Sequence, residues 1–143
     1  MLHALAARKI ALQCETEVHR PGSGGNDYRV PDLVFFREDQ PGLALTAHGF
    51  EGAPLAVLEI LSPNDETYGK IDFYATLGVA EVIVIDPPSR RAEIFRLAGA
   101  RYVAVSADDR GRAHAASLDV RFSTVPGDEP ALRVECGGAA RDV

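Results

Sequence analysis

The chain has 143 residues, of which 46% are hydrophobic and 25% charged, and this is the length and composition of one globular domain. Its net charge of −6 argues against a broad basic surface for nucleic acid, but it leaves room for a local positive groove. No apolar run reaches the roughly 18 residues of a membrane-spanning helix, and charges inside the apolar N-terminal stretch exclude a signal peptide. We therefore predict a single cytoplasmic domain over residues 1–143.

Residue spacing argues against a disulfide framework, a cysteine or histidine metal site and a phosphate loop. Cys14 and Cys136 are too few for a disulfide framework and lack the spacing of metal ligands. The four histidines are scattered singly, without an HxH or HExxH pair, which argues against a histidine-built zinc site. The GSGG segment at 22–25 is not followed by a helix pattern or by a Lys-Ser/Thr pair, so a phosphate loop is excluded.

The first third of the chain predicts a helix followed by a β-hairpin. Apolar residues recur at helical spacing within residues 2–14, which indicates a short helix. Residues 15–19 and 28–36 are expected to be strands, since the segment 20–27 between them is dense in turn formers. The glycine-bearing segment 40–52 is expected to be a loop.

A proline and an acid interrupt the predicted strands. Pro31 cannot donate to a strand ladder, so it indicates an edge or a bulge just before Asp32. Residues 54–61, PLAVLEIL, read as a strand buried on both faces, and Glu59 is the ionisable residue within it. Burying an ionised carboxylate costs several kcal/mol unless it is paired or binds a metal. Glu59 therefore requires either an arginine partner across the sheet or a cation.

A helix is predicted directly after the strand that carries Glu59. The segment 62–65, Ser-Pro-Asn-Asp, is typical of a helix start, with oxygens that can cap the first turn. The helix is expected over residues 66–77, and Gly78 is placed to end it in a left-handed conformation. Its buried side is expected to hold Ile71, Tyr74, Ala75 and Leu77. The next strand, 80–85, completes a strand–helix–strand unit, which predicts locally parallel strands.

The remaining elements extend the sheet. Residues 92–97 and 101–106 are expected to form an antiparallel hairpin, and 114–123 a further edge strand. The glycine-bearing end after Cys136, about residues 137–143, is expected to be frayed. The predicted fold class is α/β (α+β mixed), with one mixed sheet and helices packed against it.

Asp32 and Glu59 are the predicted metal ligands. Two carboxylates side by side on neighbouring strands repel and raise each other's pKa unless a cation lies between them. A pair of oxygen ligands suits Mg²⁺, with Mn²⁺ as a substitute, because this ion keeps several waters and needs few protein carboxylates. Such an ion polarises a phosphodiester and lowers the pKa of bound water. Glu15 or Glu17, on the preceding strand, could add a further ligand.

Lys70 is the predicted third member of the site. The chain has 15 basic residues, and only Lys9 and Lys70 among them are lysines. Lys70 lies in the early turns of the helix that follows Glu59, within reach of that strand's end. There its ammonium could stabilise negative charge developing on a phosphate or orient the attacking water. By base rate alone, a solvated lysine on a helix face is the stronger interpretation.

The segments RVPDLVFF, PLAVLEILSPND, KIDFYATLGVAEVIVIDP and AEIFRL resemble the Uma-type restriction endonuclease family of the PD-(D/E)xK nuclease superfamily. The resemblance covers roughly residues 29–105 and implies a restriction-endonuclease-like mixed sheet flanked by helices and metal-dependent cleavage of DNA. Carried over by position, Asp32 matches the PD acid and Glu59 the acid of the (D/E)xK element. Leu61 occupies the usual lysine position, and Lys70 matches a lysine moved to the following helix. Members of the family usually carry a longer N-terminal segment.

The leading functional hypothesis is therefore a Mg²⁺-dependent DNA endonuclease. A homodimer is expected, because duplex cleavage needs two active sites and a symmetric dimer supplies them. The alternative is a catalytically silent nuclease-fold module for binding or assembly, which the acidic net charge favours. A small-molecule hydrolase that uses the same metal is a third hypothesis.

Overall fold

The computed structural model describes residues 2–64 and 66–143, so Asp65 of the predicted helix start lies outside the described residues. The described part of the chain forms two helices and fourteen strands. The first elements in chain order are α1 (Leu2–Ala7), β1 (Ala11–Cys14), β2 (Val18–His19), β3 (Tyr28–Arg29), β4 (Leu33–Phe36), β5 (Leu43–Thr46), β6 (Gly49–Gly52) and β7 (Ala56–Ile60). The remaining elements are α2 (Thr67–Leu77), β8 (Glu81–Asp86), β9 (Arg91–Ala98), β10 (Arg101–Ala104), β11 (Ala113–Ala115), β12 (Val120–Val125), β13 (Ala131–Cys136) and β14 (Ala139–Asp142).

A six-stranded mixed sheet with the order β1-β4-β7-β8-β9-β10 forms the centre of the fold. Its one parallel pair is β7 with β8, and helix α2 connects these two strands, as the strand–helix–strand pattern predicts. The predicted hairpin of β9 and β10 is also confirmed. Within the described residues no helix is long and apolar enough to cross a membrane. The predicted mixed α+β class is confirmed.

Helix α2 follows its sequence signals closely at the C-terminal end. Gly78 has a φ of 89°, in the left-handed region, and its N–H contacts the carbonyls of Tyr74 and Ala75 at 3.1 Å. At the N-terminal end the cap position is Glu66, and no side chain of the described residues donates or accepts a capping hydrogen bond there. The buried residues of α2 are Thr67, Phe73 and Tyr74. Tyr74 was predicted to be buried, whereas the other three predicted residues are only partly buried.

The predicted N-terminal helix is too long. It ends at Ala7, and Lys9 adopts a left-handed φ of 58° that turns the chain into β1. Strand β1 pairs antiparallel with β4, from Ala11 opposite Phe36 to Cys14 opposite Leu33. Pairing with a remote strand thus overrides the helical spacing of the apolar residues.

The predicted strand 28–36 is divided between two sheets at Pro31. Strand β3 forms the predicted hairpin with β2, in a small sheet of order β3-β2-β6-β5, whereas β4 enters the central sheet. The expected loop 40–52 is wrong, because it forms β5 and β6, and β6 pairs in parallel with β2. Gly52 has a φ of 111° and lies against the carbonyl of Gly42, which explains why this strand contains glycine.

The expectation of a frayed C-terminus is also wrong. Strand β14 pairs with β13 at the edge of a four-stranded sheet of order β11-β12-β13-β14. Val143 and Leu132 exchange backbone hydrogen bonds of 2.8 and 2.9 Å, which hold the chain end to this sheet. The glycines at 137–138 form the turn that returns the chain for this pairing.

The two faces of the central sheet are buried by different layers. One face packs on α1 and the C-terminal sheet, through side chains such as Leu58, Ile83 and Phe122. The other face packs on α2, through Val57, Val84, Phe73 and Tyr74. Successive residues of a strand point to opposite faces, so Glu59 lies with Val57 on the α2 face. This alternation places the acid directly under the helix that carries Lys70.

Candidate active site

Asp32 and Glu59 lie side by side at the ends of neighbouring strands. In the antiparallel pair of β4 and β7, Leu33 is opposite Leu58. Continuing that register by one residue sets Asp32 opposite Glu59. The backbone N–H of Ile60 donates a hydrogen bond of 2.6 Å to Oδ2 of Asp32. This bond fixes the Asp32 carboxylate against the strand that carries Glu59.

Glu59 is bound by two side chains from helix α2. It is 1% exposed and is the penultimate residue of β7, a strand that is otherwise apolar. Lys70 Nζ donates to Glu59 Oε2 at 2.8 Å, and Tyr74 Oη donates to Glu59 Oε1 at 2.7 Å. Residues four apart lie on the same face of a helix, so Lys70 and Tyr74 reach the two oxygens of one carboxylate together.

Lys70 joins the two strands of the site. Its Nζ lies 3.3 Å from the carbonyl oxygen of Val30, two residues before Asp32, in addition to its bond with Glu59. The lysine side chain remains 24% exposed, so its ammonium borders solvent. The structure therefore brings Asp32, Glu59 and Lys70 to one place, and Lys70 is ion-paired rather than a freely solvated helix residue.

The electrostatics of the site raise the pKa of Glu59 above its ordinary value. Burial raises the pKa of Glu59, whereas the hydrogen bonds from Lys70 and Tyr74 and the charge of Lys70 lower it. The negative charge of Asp32 raises the same pKa, and the net direction is upward. A cation placed beside both carboxylates would relieve this repulsion and favour the ionised form.

Tyr74 is the member of the site that sequence reasoning did not identify. Its side chain is completely buried, and burial followed by the nearby charge of Glu59 raises its pKa well above the ordinary range. Tyr74 therefore keeps its proton and acts as a fixed hydrogen-bond donor to Glu59. Its apolar ring resembles an ordinary core residue, and the available signal is its position four residues after Lys70.

The donor set fits a hard cation that retains water. Two carboxylates face one ammonium, so the site carries an excess of one negative charge when all three groups are ionised. Among the described residues no hydrogen bond reaches Oδ1 of Asp32, and this oxygen can serve as a ligand. Mg²⁺ binds through one or two carboxylates and keeps several waters, which matches this pair of acids.

Further acidic ligands are not assembled around this pair. In the described part of the chain no group of three or more Asp, Glu, His or Cys side chains could hold a metal. Glu15 is close in the backbone, because its N–H donates to the carbonyl of Asp32 at 3.1 Å, but its side chain is exposed. The carboxylate of Glu17 contacts His19 Nε2 at 2.8 Å instead.

A second buried glutamate, Glu81, has an arginine partner of the kind that was considered for Glu59. Glu81 is also 1% exposed, and it points to the opposite face of the sheet. It is paired with Arg96 at 2.8 Å and accepts backbone N–H bonds from Ala116 and Ser117. Sequence reasoning did not single out Glu81. Glu81 is therefore paired with an arginine across the sheet, whereas the partner of Glu59 is a lysine of α2.

Comparisons with known proteins agree with the resemblance in the sequence. No curated protein matches the chain. One similar solved structure is described as a putative nuclease belonging to DUF820 from Anabaena variabilis, with a TM-score of 0.53 and 19% identity. The match covers 72% of this chain and 61% of that protein, so the chain spans less than two thirds of its length and the likeness concerns the fold. A family model described as "Uma2: Putative restriction endonuclease" matches residues 1–126, and the chain therefore belongs to the Uma2 family.

Proposed function

We propose that this chain is a divalent-metal-dependent endonuclease that hydrolyses DNA phosphodiester bonds. The observation that carries the proposal is the arrangement of Asp32, Glu59 and Lys70, in which a buried carboxylate is held by an ammonium beside a second carboxylate. Membership of the Uma2 family supports the reaction class. Metal-dependent phosphodiester hydrolysis uses a bound cation and is helped by a positive group near the phosphate. Asp32 and Glu59 would hold the cation, and Lys70 would supply the positive group.

In this proposal Asp32 and Glu59 hold Mg²⁺, with Mn²⁺ as a substitute. The bound ion supplies Lewis-acid polarisation of the phosphodiester and a water of lowered pKa. The N–H of Ile60 orients Asp32, and Tyr74 orients Glu59, so both carboxylates are fixed before any ligand arrives. Such preorganisation reduces the free energy spent on arranging the site during the reaction.

Lys70 stabilises the charge that develops on the phosphate. An ammonium has three donors, and Glu59 and Val30 accept two of them. The third donor is left for a ligand, and because the side chain is 24% exposed it can reach a non-bridging phosphate oxygen. The ion pair with Glu59 keeps the ammonium in place while this bond forms.

A catalytically silent module with the same fold is the second candidate function. The observation that favours it is the net charge of −6, which opposes association with a polyanion. A small-molecule hydrolase would use the same metal and ignore DNA. A homodimer and a cytoplasmic location stay predictions. Measuring the molecular mass of the protein in solution tests the homodimer.

Nicking of supercoiled plasmid in Mg²⁺ tests the proposed function. The wild-type chain and the control Asp72→Asn, which changes an exposed acid of α2, are expected to convert supercoiled plasmid to open circles. Asp32→Asn, Glu59→Gln and Lys70→Ala are expected to lose this activity. A silent module would leave the plasmid intact in every sample. A small-molecule hydrolase would bind the metal but would also leave the plasmid intact.

A further inference from the structure

Two arginines stack on one aromatic ring beside the candidate site. The guanidinium carbons of Arg29 and Arg20 lie 4.6 and 5.2 Å from the centroid of Phe73. Phe73 is a buried residue of α2 and directly precedes Tyr74. We call this group, Arg20, Arg29 and Phe73, the arginine shelf. Cation–π contacts hold both guanidinium planes in fixed positions at the surface.

Two observations place the arginine shelf near the site. Arg29 directly precedes Val30, whose carbonyl accepts a hydrogen bond from Lys70. The positive charge of Arg29 also lowers the pKa of Tyr74, against the larger upward effect of burial. Arg29 therefore lies near Lys70, on the same part of the surface as the candidate site.

The shelf has an excess of positive charge in a chain that is acidic overall. Arg20 Nε contacts Asp27 Oδ2 at 2.6 Å, whereas Arg29 Nη1 lies 3.7 Å from the same carboxylate. One carboxylate thus faces two guanidinium groups, and both arginine side chains are about 40% exposed. Arg29 also donates from Nη1 to the carbonyl of Tyr28, and among the described residues its Nε and Nη2 have no hydrogen-bond partner.

We propose that the arginine shelf binds a backbone phosphate of the DNA strand, next to the phosphate that is cleaved. The inference rests on the proposed function and adds the surface that holds the substrate. Arg29 is the main contact, because its contact with the Asp27 carboxylate is the longer one, 3.7 Å against 2.6 Å for Arg20. A guanidinium binds phosphate in a two-pronged geometry, and a group already fixed by stacking loses little freedom on binding.

A purely structural role for the shelf would be to cover Phe73 with the arginine stems. Such a role predicts lower stability for the variants and an unchanged salt dependence of DNA binding. Phosphate binding predicts a reduced salt dependence of DNA binding in the variants, because each phosphate that the protein neutralises releases counterions from the DNA. Arg29→Lys separates the two further, since it keeps the charge but loses the planar, stacked fork.

The test is fluorescence anisotropy of a labelled DNA duplex, measured without divalent metal over a series of salt concentrations. Arg29→Gln is expected to weaken binding several-fold at low salt and to reduce the slope of log K against log salt by about 0.9, the value for one phosphate contact. Arg29→Lys should keep most of the slope with weaker binding. The control Arg133→Gln, on the C-terminal sheet where Arg133 pairs with Asp142, should match the wild type.

The outcomes distinguish this inference from the proposed function. A wild-type chain that binds duplex and nicks plasmid, with an Arg29→Gln variant of equal affinity, slope and KM, overturns the shelf and leaves the nuclease standing. A wild-type chain that neither binds duplex nor nicks plasmid overturns both. Support requires the reduced slope in Arg29→Gln together with an unchanged stabilisation by Mg²⁺, because the metal ligands are untouched.

Discussion

Metal-linked stability of the acidic pair is the most direct test of the site. The substitutions are Asp32→Asn and Glu59→Gln, which remove one ligand charge each and preserve side-chain shape. The matched control is Asp72→Asn, which removes an exposed acid from α2, two residues from Lys70. All three variants change the net charge equally, so any non-specific effect of divalent salt is common to them.

The expected magnitude follows from the linkage between binding and folding. A ligand that binds only the folded state stabilises it by RT ln(1 + [L]/Kd), which is about 1.4 kcal/mol when metal is present at roughly ten times its Kd. For a chain of this length that corresponds to a rise in Tm of roughly 4 °C. Millimolar Mg²⁺ or Mn²⁺ is expected to produce such a rise in the wild type and in Asp72→Asn, and no comparable rise in Asp32→Asn or Glu59→Gln.

The assay is thermal unfolding with and without metal, monitored by circular dichroism at two pH values. Asp32→Asn is expected to melt no lower than the wild type in the absence of metal, because it removes a charge from a repelling pair. Glu59→Gln also loses the ion pair with Lys70, so it is expected to melt lower without metal, and its test is the size of the metal response alone. Equal metal responses in Asp32→Asn and Asp72→Asn would refute the shared cation site. A wild type that gains nothing at metal concentrations far above millimolar would do the same.

Three further predictions follow from the contacts described above. Tyr74→Phe removes a hydrogen bond that lowers the pKa of Glu59, so the pH midpoint for Mg²⁺ stabilisation should rise; a midpoint equal to the wild type would contradict this role. The metal-free protein should itself lose stability as the pH increases from the ordinary glutamate pKa of 4.5 to the raised pKa of Glu59, because the folded state keeps the Glu59 proton to higher pH than the unfolded state does, and unfolding by urea across that range measures the slope. Glu81→Gln should lower the free energy of unfolding by about 2 kcal/mol, because a neutral amide loses the charge-assisted hydrogen bonds from Arg96 and from the N–H groups of Ala116 and Ser117. The Tm increment from Mg²⁺ should stay as in the wild type, and loss of that increment would place Glu81 in the metal site.

The strands that sequence reasoning identified are those with strong local signals. The apolar run that became β7 and the helix that ends at Gly78 carry the periodicity and the cap residue of their structures. The parallel pairing of β7 and β8 then follows from the helix between them. Glu59 was identified for the same reason, since a charge within such a run has an evident energetic cost.

The elements that sequence reasoning missed depend on partners remote in the chain. Strand β6 contains glycine at both ends, which indicates a loop, but its backbone pairs with β2 some thirty residues earlier. Gly49 and Gly52 are there because another backbone passes too close for a Cβ atom. Strand β1 likewise forms only because β4 is available beside it. Local propensity carries no information about such a neighbour.

The two residues that α2 contributes to the site, Lys70 and Tyr74, could be predicted from the sequence only in part. Lys70 follows Glu59 closely enough for its early helical position to suggest contact, and the structure gives a bond of 2.8 Å. Tyr74 could be predicted as buried but not as a donor, because its role depends on how α2 is rotated on the sheet. That rotation is set by Phe73 and Tyr74 packing against Val57 and Val84, which no local pattern specifies.

The two buried glutamates differ in the capacity that their partners leave. A carboxylate has about four lone-pair positions. Glu81 fills them with Arg96, the N–H groups of Ala116 and Ser117, and the Ser117 hydroxyl, so it has no position for another ligand. Glu59 accepts two hydrogen bonds from the described residues, and its neighbour Asp32 accepts one. Burial alone therefore does not make an acid functional: a buried carboxylate can bind a cation only where its protein partners are too few to satisfy it.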